Sequence, residues 1–80
     1  MDLKQAIVRC MTQGQSAPLA AILTLLGQEM VMQAARWGLS ESVRNASTKS
    51  DLDQAWQHWA AAERCWSHAC ALLRSRQAGH

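Results

Sequence analysis

The sequence predicts an all-α fold, a short N-terminal helix followed by a long antiparallel helical hairpin, assembled as a dimeric helical bundle. Three observations lead to this prediction. The composition has four Trp, four Met, no Tyr or Phe, and only three Val and two Ile, which favours helices over strands. Apolar residues recur at helical spacing along most of the chain. A heptad pattern, typical of helix-on-helix packing, occupies the C-terminal third.

The length of the chain predicts a single helical domain over residues 1–80. A chain this short buries only about 60–65% of the surface that its unfolded form exposes, and small domains often gain stability by oligomerising. Hydrophobic residues make up 49% of the chain and charged residues 18%, which argues against intrinsic disorder and indicates a surface partly committed to a partner. The net charge of +2 neither demands nor excludes an acidic partner.

The period of the apolar residues, together with residues that typically begin or end helices, predicts three helices. They cover about residues 2–13, 17–37 and 51–76, with a Ser-, Thr- and Asn-rich connection over residues 38–50. Gly14 and Gly38 are expected to end the first and second helices. Ser16 is the expected N-cap of the second helix, which is apolar on most of its circumference and therefore buried on most of it.

The third helix has the most regular pattern in the chain. Ser50 and Asp53 have capping-box spacing at its start. Large side chains recur every seven residues and alanines recur every seven residues, offset by three, so that helix backbones can approach closely. We call this set the helix-packing seam: Leu52, Ala55, Trp59, Ala62, Trp66, Ala69 and Leu73.

Apolar residues outside the seam predict a contact with a partner or with a second copy. They are Leu25, Met30, Met32, Trp37 and Trp56. Methionines adapt to a partner's helix in a hydrophobic groove, and they fill a dimer interface equally well, so both interpretations stay open.

The sequence predicts no catalytic, cofactor-binding or metal-binding residue. Cys65 and His68 are three apart on a helix, but no CxxC or HxxxH spacing supplies the other ligands of a zinc site. Cys65 with His58 is the one pairing for a nucleophilic cysteine, and no oxyanion hole or Gly-rich loop accompanies it. We therefore expect a protein that is not an enzyme, and whether Cys65 and His68 bind a metal stays open.

Five arginines carry an alternative prediction, a dimeric nucleic-acid-binding regulator. They are Arg36, Arg44, Arg64, Arg74 and Arg76. They are scattered without a basic run, and the predicted helices are too long and their connection too open for a helix-turn-helix, so nucleic acid is the less favoured partner.

An odd number of cysteines in no framework spacing indicates a reducing, cytoplasmic compartment. The apolar run from Leu19 to Leu26 is too short to cross a bilayer and continues into an amphipathic pattern, so no membrane contact is expected. In size and helicity the chain resembles small helical hairpin proteins of phages, plasmids and secretion systems that act as chaperones, adaptors or stoichiometric inhibitors. This resemblance covers the whole chain without a specific motif, and it implies a bacterial or phage protein. The expected function is a non-enzymatic protein–protein interaction module that binds a larger, unidentified protein.

Overall fold

The computed structural model describes the backbone of residues 2–78 and the side chains of residues 2–76. These residues form helices and short turns, without a strand, which confirms the predicted all-α class. The helices are α1 (Leu3–Thr12), α2 (Ser16–Leu26), α3 (Gln28–Arg44) and α4 (Lys49–Ala78).

Helix α4 sets the length of the molecule. Its 30 residues extend about 45 Å at 1.5 Å per residue, and the chain measures 50 × 21 × 18 Å along its principal axes. The other three helices all contact α4 and one another. The predicted third helix lies within α4, which begins two residues earlier than predicted and continues to Ala78.

The prediction of one helix over residues 17–37 is wrong, because Gly27 separates α2 from α3. Gly27 has φ 89° and ψ 153°, a combination that is almost confined to glycine. Its N–H still donates to the Leu23 carbonyl (2.8 Å) and its carbonyl accepts from the Val31 N–H (3.3 Å). The two helices therefore meet at a single residue that belongs to neither.

The prediction that Gly38 ends a helix is also wrong, because Gly38 lies inside α3. A Cβ atom at this position would lie 2.5 Å from Cγ2 of Val8 on α1. The missing side chain thus allows α1 and α3 to approach closely. Helix α3 continues to Arg44, and the connection predicted over residues 38–50 shrinks to residues 45–48.

The remaining helix ends follow local hydrogen bonding. Gly14, with φ 70°, follows the end of α1 as predicted, and the Gln15 N–H donates to the Cys10 carbonyl (2.9 Å) in the manner of a Schellman motif. Ser16 is the first helical residue of α2 and makes no cap hydrogen bond, which corrects its assignment as the N-cap. Asp2 caps α1 by accepting from the Gln5 N–H at 2.9 Å.

The cap of α4 lies two residues before the predicted pair Ser50 and Asp53. The Thr48 hydroxyl accepts from the Asp51 N–H (3.0 Å), and the Asp51 carboxylate accepts from the N–H and the hydroxyl of Ser47. The spacing of three between Thr48 and Asp51 is that of a capping box. Hydrogen bonding with the Thr48 side chain, and then with Ser47, lowers the pKa of Asp51.

The core draws on all four helices. It contains no buried polar or charged residue among those described. Helix α4 contributes only small side chains, while the other helices supply larger ones. The buried cluster consists of Ile7, Met11, Leu19, Ala20, Leu23, Val31, Ala35, Leu39, Ala62, Cys65 and Ala69. Leu39, assigned to the connection by the sequence, is therefore a core residue.

Candidate protein-interaction site

Within the predicted helix-packing seam of α4, the small and the large residues differ in how deeply they are buried. The alanines at positions 55, 62 and 69 are buried, and the large residues at positions 59, 66 and 73 are half-buried at the edge of the core. Leu52, at the N-terminal end of the seam, is exposed. The alanine row thus faces the other helices of the same chain, and part of each indole remains at the surface.

A groove runs along the surface between α3 and α4, with a volume of about 330 Å³. We call it the α3–α4 groove. Its residues are spaced three, four and seven apart on α3, and three, four, seven and eight apart on α4, which places them along one face of each helix. Buried residues form its floor (Met11, Ala35, Leu39 and Ala62), half-buried ones its walls (Met32, Trp59 and Trp66), and exposed polar ones its rim (Arg36, Glu63 and Ser67).

One wall of the groove is held in place by a hydrogen bond between neighbouring turns of α4. The Trp59 indole Nε1–H donates to Glu63 Oε1 at 2.8 Å. The ring of Trp56 meets that of Trp59 edge to face, with 6.3 Å between centroids, a favoured aromatic arrangement. Trp56 is about half exposed and so extends the apolar surface beyond the groove towards the N-terminus of α4.

The opposite charges on the rim come from different helices. Arg36 stands on the α3 side and Glu63 on the α4 side of the same cavity. A carboxylate has two oxygens and about four acceptor positions, so the bond from Trp59 leaves Glu63 able to accept further hydrogen bonds. The rim therefore presents a cation and an anion on either side of an apolar floor.

A second apolar surface lies between α1 and α3, and we call it the α1–α3 face. It is lined by Asp2, Leu3, Lys4, Met30, Gln33, Ala34 and Trp37. Leu3, Met30 and Trp37 are each about half exposed. The Lys4 ammonium lies 4.8 Å and the Arg44 guanidinium 5.3 Å from the centroid of the Trp37 ring, within the range of cation–π attraction.

The residues predicted to form a partner or dimer surface do not all lie together. Met30 and Trp37 share the α1–α3 face, whereas Met32 lines the α3–α4 groove. Trp56 is beside the groove through its contact with Trp59. Leu25 is 81% exposed on α2, the most exposed large apolar residue in the described part of the chain.

The five arginines of the nucleic-acid alternative are all exposed, but they do not form one patch around a shared site. Arg36 is at the rim of the α3–α4 groove and Arg44 lies on Trp37. Arg64, Arg74 and Arg76 are spread along the C-terminal half of α4.

The cysteines lie where packing explains them. The Cys65 thiol is buried, donates to the Cys10 carbonyl oxygen (3.5 Å) and contacts the Ser16 hydroxyl (3.7 Å). Burial raises the pKa of the Cys10 thiol and the nearby Cys65 thiol raises it further, which keeps Cys10 protonated and weakly nucleophilic. Within residues 2–78, no three His, Cys, Asp or Glu side chains are grouped to hold a metal ion.

Some groove residues were missed by the sequence prediction. Glu63 is four residues after Trp59, a spacing that brings helical side chains together, so this pair was readable in the sequence. Leu39 was hidden by the misplaced end of the second helix, because it fell in the connection predicted over residues 38–50.

Comparison with protein-family models, curated proteins and solved structures gave no match to this chain. Over the described residues, no helix combines the length and the apolar character needed to span a bilayer.

Proposed function

We propose that this chain is a non-enzymatic protein–protein interaction module that binds a larger protein through the α3–α4 groove. The observation that carries the proposal is the groove itself: an apolar floor flanked by two half-buried indoles, with charged residues only at the rim. An apolar cleft with a polar rim is the usual build of a protein-binding site. Tryptophan and arginine are also among the residues enriched at the energetic centre of interfaces.

The proposal is tested by affinity capture from an extract of the organism that encodes the chain. The wild type is compared with Met32→Glu, which places a charge on the groove wall. Leu25→Glu is the matched control, because it makes the same kind of change at an exposed apolar residue outside the groove.

We expect one protein to be retained in stoichiometric amount by the wild type and by Leu25→Glu, and lost with Met32→Glu. Equal retention by both variants, or retention that nuclease treatment abolishes, contradicts the proposal. Circular dichroism of each variant establishes that it is folded before the comparison is made.

We also propose that the chain dimerises through the α1–α3 face, and that α3 and α4 form an antiparallel hairpin within each copy. Two surface clefts between α3 and α4 support the hairpin. Ser42 and Ala55 line one cleft, and Leu39 and Trp59 line the α3–α4 groove. Residue numbers therefore decrease along α3 in the direction in which they increase along α4, as in an antiparallel pair. Half-exposed Leu3, Met30 and Trp37 support the dimer, since contiguous apolar surface is typical of interfaces.

The dimer is tested by light scattering after size-exclusion chromatography. Met30→Glu is expected to give the mass of one chain, while the wild type and Leu25→Glu give the mass of two. A wild type that stays monomeric at high micromolar concentration contradicts this part of the proposal.

The alternative function, nucleic-acid binding, is favoured by one cluster: the half-exposed Trp37 ring with Lys4 and Arg44 over it. Aromatic stacking combined with cations is how many proteins hold single strands. Quenching of tryptophan fluorescence by an oligonucleotide, reversed by salt and lost in Trp37→Leu, would support it. No quenching at low salt removes it.

A further inference from the structure

The rim charges of the α3–α4 groove indicate what kind of element occupies it. This inference rests on the proposed function and goes further, to the chemistry of the bound segment. The floor and walls are apolar from Met11 up to Trp59 and Trp66, so the occupant buries apolar side chains there. The charged groups stand only at the two edges, where the flanks of an occupant would lie.

The spacing of the walls suits a helix. Trp59 and Trp66 are seven residues apart on α4, a rise of about 10.5 Å, and a helix laid alongside has the same rise between its own residues i and i+7. Side chains at i, i+4 and i+7 of such a helix share one face and can enter the groove between the indoles. The exposed Leu52 and Trp56 extend the apolar line, so that from Leu52 to Trp66 it measures about 21 Å, or some 14 residues of helix.

The charges then set a requirement on the two edges of that helix. The edge that lies over α3 faces Arg36, and the edge that lies over α4 faces Glu63. Glu63 is already oriented by the indole of Trp59, so a partner cation meets a fixed carboxylate. Like charge opposite either residue is unfavourable, whereas opposite charge improves the fit.

We propose that the α3–α4 groove binds an amphipathic helix of about four turns that carries an apolar row, an acidic residue on the edge facing Arg36 and a basic residue on the edge facing Glu63. Turning such a helix end over end exchanges its two edges. The two rim charges therefore also fix the direction in which the helix lies.

The test uses fluorescein-labelled, side-chain-stapled helical peptides of 16 residues with Leu at i, i+4, i+7 and i+11. Three peptides differ only in the residues that flank the Leu row: one Glu and one Lys on opposite edges, Lys on both edges, or Glu on both edges. Because an end-over-end turn exchanges the edges, the mixed peptide matches the rim in one of its two directions. A fourth peptide replaces the Leu row with Ser, and a fifth is a polyproline peptide of equal length.

Binding is measured by fluorescence anisotropy at low ionic strength against the wild type, Arg36→Glu and Glu63→Lys. We expect the wild type to prefer the mixed peptide, Arg36→Glu the Lys peptide, and Glu63→Lys the Glu peptide. Each mismatched charge should weaken binding about 1.4- to 5-fold, the range measured for exposed ion pairs. The Ser-row peptide should not bind any of the three proteins.

Three results would overturn the inference. One is an unchanged order of affinities in all three proteins, and another is tighter binding of the polyproline peptide. The third is no binding of any Leu-row peptide by the wild type. If the wild type nevertheless captures a protein that Met32→Glu does not, the proposed function stands and only the nature of the bound segment is wrong. If no Leu-row peptide binds and Met32→Glu also leaves protein capture unchanged, the groove is not the binding site.

Discussion

The contact between Gly38 and Val8 predicts that one substitution will have opposite effects in two backgrounds. Helix propensity alone would make Gly38→Ala stabilising by about 1 kcal/mol, because the position lies inside α3. The new Cβ would lie 2.5 Å from Val8 Cγ2, well inside van der Waals contact. Valine in a helix has one strongly preferred χ1 rotamer, so the methyl group cannot simply turn away, and overpacking of this kind costs about 1–3 kcal/mol. Gly38→Ala should therefore destabilise the protein by about 1 kcal/mol.

In a Val8→Ala background the obstructing methyl group is gone. The same Gly38→Ala change should then stabilise the protein by about 1 kcal/mol, the full helix-propensity gain. The coupling free energy between the two positions is thus about 2 kcal/mol, which is large for a pair of small side chains.

The assay is urea unfolding of the wild type, both single variants and the double variant, followed by circular dichroism at 222 nm. The free energy lost by Val8→Ala itself cancels in the cycle. An identical effect of Gly38→Ala in both backgrounds would refute the reasoning, because it would mean that Val8 does not limit the approach of α1 to α3.

Three further predictions concern α4 and the junction of α2 with α3. Gly27→Ala should lower the free energy of unfolding by about 1–3 kcal/mol, because its backbone conformation is strained for any other residue; an unchanged melting temperature would contradict this. Ala62→Trp should cost about 1–3 kcal/mol or more by overpacking a buried position, whereas Ala60→Trp, at an exposed position of the same helix, should leave thermal unfolding nearly unchanged. Asp51→Asn should lower the melting temperature at pH 7, and the difference from the wild type should shrink as the pH falls. The pKa of Asp51 is lowered in the folded state. Its carboxylate therefore stabilises the fold fully at a pH above its ordinary pKa of 3.8, and this effect is lost as the pH falls through the lower pKa of the folded state. Melting curves from pH 7 to pH 2 measure this, and a difference that is constant with pH would count against it.

The helical class was predictable because it depends on composition and on the period of the apolar residues. The place where the predicted second helix breaks was not predictable, because Gly27 and Gly38 are the same residue type and only tertiary packing separates their roles. Gly27 adopts a positive φ where α2 turns away from α3, and Gly38 makes room for α1. First-turn charge does not separate them either, because Glu29 follows Gly27 and Glu41 follows Gly38.

The candidate site was predictable in its residue types but not in its grouping. Trp59 and Trp66 belonged to the packing seam and Met32 to a separate partner surface, yet all three line one groove. A sequence pattern identifies which residues share a face of one helix, whereas a groove is defined by two helices and by their relative rotation. The placement of Arg36 and Glu63 on opposite sides of the groove depends on that rotation and has no signature along the chain.

The position of Cys65 has a consequence for how this protein can be studied. Three helices meet at its thiol, since α1 provides the carbonyl it donates to, α2 provides the Ser16 hydroxyl and α4 carries the cysteine itself. A thiol reagent can reach Cys65 only when these helices separate, whereas Cys10 and Cys70 are partly exposed in the folded state. The rate at which Cys65 is alkylated therefore reports the opening of the core, and the other two cysteines provide an internal reference in the same sample. The chain thus contains its own probe of conformational opening, and mass spectrometry of the alkylated protein can rank variants by how often their core opens.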